Sequence, residues 1–143
     1  KSGSLVRLRY PSAVRPWQHV LDCLAGYLVL TEALLADNGN GAWNFGPQAS
    51  AFRTVQETAE LAAQVWGSEQ AWVADTGELP HEAELLTLDA SRSRSELGWR
   101  DRLDYEAAIE WTVEWEKRVH NGENAREVSL EQIARFEVLG LSS

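Results

Sequence analysis

Methionine is absent from these 143 residues, even at position 1, and cysteine occurs once, as Cys23. A single thiol excludes an intrachain disulfide and leaves a cysteine-based metal site without partners. It fits a reducing, cytoplasmic setting. Long apolar runs are also missing. The nearest approach, residues 21–35, is short and carries Asp22 and Glu32, so no membrane-spanning helix is expected. Residues 1–10 alternate in polarity, which is not the apolar core of a signal peptide. A start at Lys1 implies a processed or truncated terminus.

Basic residues are scarce, 13 against 22 acidic ones, and the net charge is −9. They are also uneven. Lys1, Arg7, Arg9 and Arg15 precede any acid; the rest of the chain is strongly acidic. That acidity argues against nucleic acid as a partner, because phosphate contacts dominate such binding. The basic start suits either a small anion or a solvated strand end.

The length suits one domain, and 44% hydrophobic residues are enough for a core. "LVRLRY" (5–10) alternates as a strand does. "YPSAVRP" (10–16) holds two prolines and reads as a connection; "WQHV" (17–20) reads as a short buried strand or a strand end. A helix is predicted over 21–35. Leu24, Tyr27, Leu28, Thr31, Leu34 and Leu35 share one of its faces, and its breadth of apolar surface predicts cover on more than one side. "AWNFGP" (42–47) reads as a strand. Thr54 and Glu57 form a capping box that opens a helix closed by Gly67. "AWVAD" (71–75) is strand-like, and 76–84 is a polar loop. A short helix follows Asp89, and a longer one runs from about Asp104 to His120, with Ala108, Trp111, Trp115 and Val119 in register. "SLEQ" (129–132) is a second capping-box pattern. It predicts a last helix with Ile133 and Phe136 inward. The order is α/β, helix-rich, with few strands.

The familiar catalytic patterns are missing too. There is no G-x-G-x-x-G, no G-x-x-x-x-G-K-[ST] and no G-x-S-x-G. Tyr10, Tyr27 and Tyr105 lack a lysine four residues on. His19, His81 and His120 have no metal-ligand spacing. No catalytic or metal residue is therefore assigned. Arg15 offers a planar fork to phosphate. His19 would share the side of Trp17 in an extended segment, and His81 stands beside Glu82 on the polar loop. Each also makes sense as an ordinary surface residue.

"VRPWQHVLDCLAGYLVLTEALL", "AWNFGP", "HEAELLTLDASRSRSELGW", "EWTVEWEK" and "SLEQIARFE", in that order, resemble the carboxy-terminal part of CDP-glucose 4,6-dehydratases. These are extended short-chain dehydrogenase/reductase enzymes. The resemblance implies an incomplete, C-terminal portion of an extended Rossmann-type nucleotide-sugar enzyme, one substrate-side domain over 1–143. The NAD loop and the catalytic Tyr and Lys lie before residue 1 in the family pattern. It further implies a lyase of deoxysugar and surface-polysaccharide biosynthesis that uses NAD when complete. This chain alone is expected to be inactive and to hold no cofactor.

The resemblance places Arg15 against the sugar-nucleotide pyrophosphate. His19, and more loosely His81 and Glu82, are substrate-binding candidates. Asp89, Ser91 and Leu97–Trp99 match a structural segment. Cys23 stands where proline is expected, and Arg92 where lysine is commoner. The expected partners are a CDP-sugar and either a second copy of the chain or the missing Rossmann portion. The alternative is a stand-alone, non-enzymatic module that binds a nucleotide sugar or another protein.

Overall fold

The computed structural model describes residues 6–68, 72–75 and 83–140. Strand β1 (Val6–Leu8) pairs in parallel with β4 (Trp72–Ala74), and β2 (Val14–Pro16) pairs antiparallel with β3 (Phe52–Thr54). The helices are α1 (Val20–Leu35), α2 (Val55–Trp66), α3 (Ser91–Glu96), α4 (Tyr105–His120) and α5 (Ala125–Leu139). A 3-10 turn, Ala49–Ala51, leads into β3.

Local chemistry explains most boundaries. Thr54 and Glu57 make the reciprocal cap of α2, and Gly67 ends it at φ 87°, the left-handed position that glycine takes without strain. Asp104 caps α4 by accepting the N–H of Ala107. Lys117, Arg118 and His120 in its last turn suit the negative end of the helix dipole.

Two apolar clusters hold the helices. Leu103, Ala108, Trp111 and Phe136 form one, with Leu21 and Ala25 of α1 packed against it. Phe45, Ala90 and Trp99 form the other, with Leu30, Trp43 and Leu97. The inner side of α1 touches both. Between them sits Asp22, completely buried. Its carboxylate accepts the N–H groups of Arg102 (2.7 Å) and Leu103 (3.3 Å), and its carbonyl accepts the indole N–H of Trp99 (3.2 Å). Burial pushes the carboxyl up to about 6; the two amides act the other way.

Three sequence expectations are corrected. Residues 42–47 form no strand. Their polar groups go to side chains instead: the Asn44 amide donates to the Asp89 carbonyl, the Asn44 carbonyl accepts from Ser93 Oγ, and Phe45 is drawn into its cluster. At the end of β2, by contrast, Trp17 N–H still pairs with the Ala51 carbonyl, as a strand end does, and residues 18–19 lead on into α1.

The last helix starts at Ala125, four residues before the SLEQ motif. Asn124 Oδ1 accepts the N–H of Arg126 and of Glu127, while Ser129 lies inside the helix and bonds back to the Ala125 carbonyl. A capping pattern cannot act as a cap where an earlier one has already started the helix. Finally, Phe136 is inward, as expected, but Ile133 is exposed.

The outer side of α1 has no cover among the described residues. Leu24, Tyr27, Leu28 and Leu35 all lie exposed, Leu28 at 68% and Leu35 at 85%.

Candidate functional site

The short β2 strand is the centre of the candidate site. On one edge Val14, Arg15 and Pro16 face Thr54, Arg53 and Phe52. The pairing extends on both sides, from Val55 N–H to the Ala13 carbonyl (3.0 Å) and from Trp17 N–H to the Ala51 carbonyl (3.3 Å). On the other edge Val14 bridges to Leu85. It donates to the Glu84 carbonyl (2.7 Å) and accepts from Leu86 (3.1 Å). Arg15 therefore stands on a strand flanked on both sides, a few residues before the cap of α1.

Arg15 is half-buried and gives one N–H to the Val14 carbonyl at 2.8 Å. His19 is 4% exposed and stacks edge-on against Trp111. Its Nδ1 accepts the N–H of Leu21 at 3.2 Å, so it caps α1. Burial holds its pKa below the usual value. A ring that accepts at Nδ1 and resists protonation carries its proton at Nε2 and is neutral. His19 thus fixes where the chain turns into α1; it brings no positive charge to Arg15. His81 and Glu82 lie outside the described residues. Ala83 is the first described residue after them, and it leads directly into the segment that flanks β2.

Sequence reasoning missed Arg53. The Cζ of Arg53 lies 5.3 Å from the ring centre of the buried Tyr105. The Arg53 carbonyl accepts the indole N–H of Trp17 (3.0 Å), and Tyr105 is itself joined to Thr58 at 3.1 Å. No local signal in "FRTV" marks this residue, because its partner on β2 is chosen by strand register. Asp22 was missed for a similar reason: its two amide donors lie far along the chain.

The segment after Asp89 is structural. Asp89 accepts the N–H of Ser91, and its pKa is lowered by hydrogen bonds from that residue. The Arg92 guanidinium stacks 3.8 Å from the Trp43 ring centre and donates to the carbonyls of Asn40 and Ala42.

A second, apolar cleft of about 420 Å³ opens between the start of α1 and helices α4 and α5, lined by His19, Leu21, Leu24, Trp115, Gln132 and Ile133 among others. Among the described residues no three His, Cys, Asp or Glu side chains could hold a metal. Nor is any described helix long and apolar enough to cross a membrane.

The fold is shared with about a third of the length of larger solved enzymes. It matches dTDP-glucose 4,6-dehydratase from Bacillus anthracis, solved with NAD, at a TM-score of 0.65 and 21% identity, over 81% of this chain and 35% of that one. It matches UDP-glucose 4-epimerase from Bifidobacterium longum, solved with NAD+ and UDP, at 0.71 and 20%, over 84% and 37%.

In sequence, the chain is similar to the CDP-glucose 4,6-dehydratase of Salmonella typhimurium, 34% identical over 138 residues. That alignment covers 95% of this chain and 38% of the enzyme, so the resemblance read from the motifs is shown along nearly all of this chain. No known family profile matches it.

Proposed function

We propose that this chain is the sugar-nucleotide side of a CDP-glucose 4,6-dehydratase-like lyase, with Arg15 contacting the diphosphate of the substrate. Two observations support this reading. The similarity to the Salmonella enzyme runs through the segment that carries Arg15. The geometry also suits anion binding: a guanidinium rooted on a strand paired at both edges is well positioned before any ligand arrives.

The chain's own residues do not fit NAD. Dinucleotide binding needs a glycine-rich strand-to-helix turn that lets the backbone approach the pyrophosphate. The described strand-to-helix connections, from β2 into α1 and from β3 into α2, contain no glycine, and Thr54 and Glu57 close the second. Hydride chemistry therefore belongs to residues outside this chain, and these residues alone neither hold NAD nor turn over CDP-glucose. The bare outer side of α1 agrees with this division. In the complete enzyme the nucleotide-binding portion covers it; in the chain alone a second copy does.

The test is calorimetric titration of the full chain with CDP and CDP-glucose. Arg15→Ala is expected to weaken binding by about 1.5–3 kcal/mol, the range for a hydrogen bond to a charged group. Equal affinity in parent and variant would remove Arg15 from the site. No binding by the parent would favour a protein-interaction module, for which the exposed face of α1 is the supporting observation.

A further inference from the structure

His19 and Gln132 both line the cleft between the start of α1 and helices α4 and α5. They are deeply buried, at 4% and 7% exposure. Both are held against Trp111: the imidazole meets its ring edge-on at 5.9 Å, and the Gln132 amide nitrogen donates to its carbonyl at 2.8 Å. Each keeps one polar atom without a partner among the described residues. Nδ1 of His19 is taken by the N–H of Leu21, which leaves Nε2–H as a donor. The nitrogen of Gln132 is taken by Trp111, which leaves Oε1 as an acceptor. Among the described residues, the sealed side-chain atoms without a partner belong to Gln18 and Arg94. The free atoms of His19 and Gln132 therefore keep an opening, and the cleft provides it. Around them the walls are apolar, from Val20, Leu24, Trp115 and Ile133. A buried donor and acceptor are costly to leave unmade.

We propose that this cleft binds a small uncharged molecule that joins an apolar ring to a carboxamide, its carbonyl on His19 Nε2–H and its N–H on Gln132 Oε1. The site goes beyond the nucleotide-sugar reading and does not depend on it. A carboxamide carries an acceptor and a donor on neighbouring atoms, the complement of what the two side chains present. A cleft of about 420 Å³, mainly apolar with a few placed polar groups, has the make-up of a small-molecule site. Charge narrows the class. The imidazole is neutral and Glu116 stands on the wall, so an anion is disfavoured, and a carboxylate has no proton for Oε1. An ammonium group cannot accept from His19.

The experiment titrates the full chain with benzamide, acetophenone and benzoate, following the side-chain resonances of His19 and Gln132 by NMR. Benzamide is expected to bind best and to shift both sets. Acetophenone keeps the carbonyl but lacks the N–H. It should bind roughly threefold to tenfold more weakly, the factor for one net hydrogen bond, and shift His19 alone. Benzoate should bind weakest. Two variants localise the effect. His19→Asn keeps a side chain that can cap α1 but removes the ring donor, so benzamide and acetophenone should both weaken. Ile133→Trp fills the cleft from a position that is 40% exposed and should abolish binding. It also serves if the asparagine variant folds poorly.

Equal affinity for benzamide and acetophenone overturns the proposal, as does an Ile133→Trp variant that binds like the parent. No measurable binding of benzamide up to its solubility limit has the same meaning. Binding that fades as the chain self-associates and returns with Leu28→Lys would show a second copy in the cleft, which also overturns a small-molecule site. Selective benzamide binding by a chain that takes no CDP supports the site all the same, because the two readings are independent.

Discussion

Asp22 and Arg102 lie 80 residues apart in sequence and meet at 2.7 Å, where the buried Oδ1 of the first accepts the backbone N–H of the second. Asp22 occupies the first turn of α1, and Arg102 belongs to the connection that leads into α4. One carboxylate thus fastens the helix that follows Arg15 to the rest of the chain. The carboxyl titrates at about 6 when folded, against an ordinary 3.8, chiefly because it is buried and also because Asp101 is near. Folding therefore favours the protonated form. The resulting stabilisation is complete below about pH 3.8 and is lost as pH rises through about 6. Each tenfold difference in proton affinity between the folded and unfolded chain corresponds to about 1.4 kcal/mol. Urea unfolding of the parent and Asp22→Asn between about pH 4 and 8 checks this. The asparagine variant should lack the part of the decline that falls between about pH 4 and 6. Identical pH slopes would show that Asp22 does not titrate there.

Gly26 permits α1 to lie against Phe45. A Cβ at this position would collide with the ring, overlapping Cδ1 and lying 2.6 Å from Cγ. Gly26→Ala gains helix propensity but overpacks the contact, and a net loss of about 1–3 kcal/mol is expected. Denaturant midpoints measure it. A stabilised variant would mean that Phe45 moves aside freely.

The start of α5 separates the two candidate caps. Asn124→Ala should cost about 1 kcal/mol. Ser129→Ala loses a back-bond to Ala125 and the acceptor of the Trp115 indole N–H, but no cap. If Asn124→Ala were neutral by thermal melting, the helix would not begin where the structure begins it.

The outer face of α1 predicts self-association of the chain when it is alone. Sedimentation should show dimers or larger species at high micromolar concentration, dispersed by Leu28→Lys. Leu28 is 68% exposed, so this change should leave the fold itself intact. A monomeric parent would contradict the expectation.

What could be read from the sequence was mostly local. Thr54 and Glu57 are three residues apart, and the register of Ala108, Trp111 and Trp115 belongs to one helix. The breadth of apolar surface on α1 was legible as well. Which half the chain itself would cover was not, because that depends on Gly26 meeting Phe45 and on Asp22 finding donors on a distant segment. Arg15 was legible as an anion candidate from its residue type, while its place opposite Arg53 is set only by strand register. Residue type made His19 visible as a partner for an anion; its cap on the first turn of α1 was not visible, because that depends on where the helix begins. Ser129 misled for the opposite reason: its pattern was sound, but Asn124 had already begun the helix.

The parallel pairing of β1 with β4 has a consequence for the order of events in folding. Helices α4 and α5 are joined by four residues, Asn121–Asn124, and can meet through short-range closure. Val6 can find Trp72 only after the intervening chain, with α1 and α2 in it, has been arranged. Contacts of such long range are entropically costly to close and form slowly. Until they close, the edges of β1 and β2 remain open templates for strands of other molecules. The helical pair should thus be the early, exchange-protected nucleus, and the β2–β3 ribbon with its two arginines a late-forming part of the molecule.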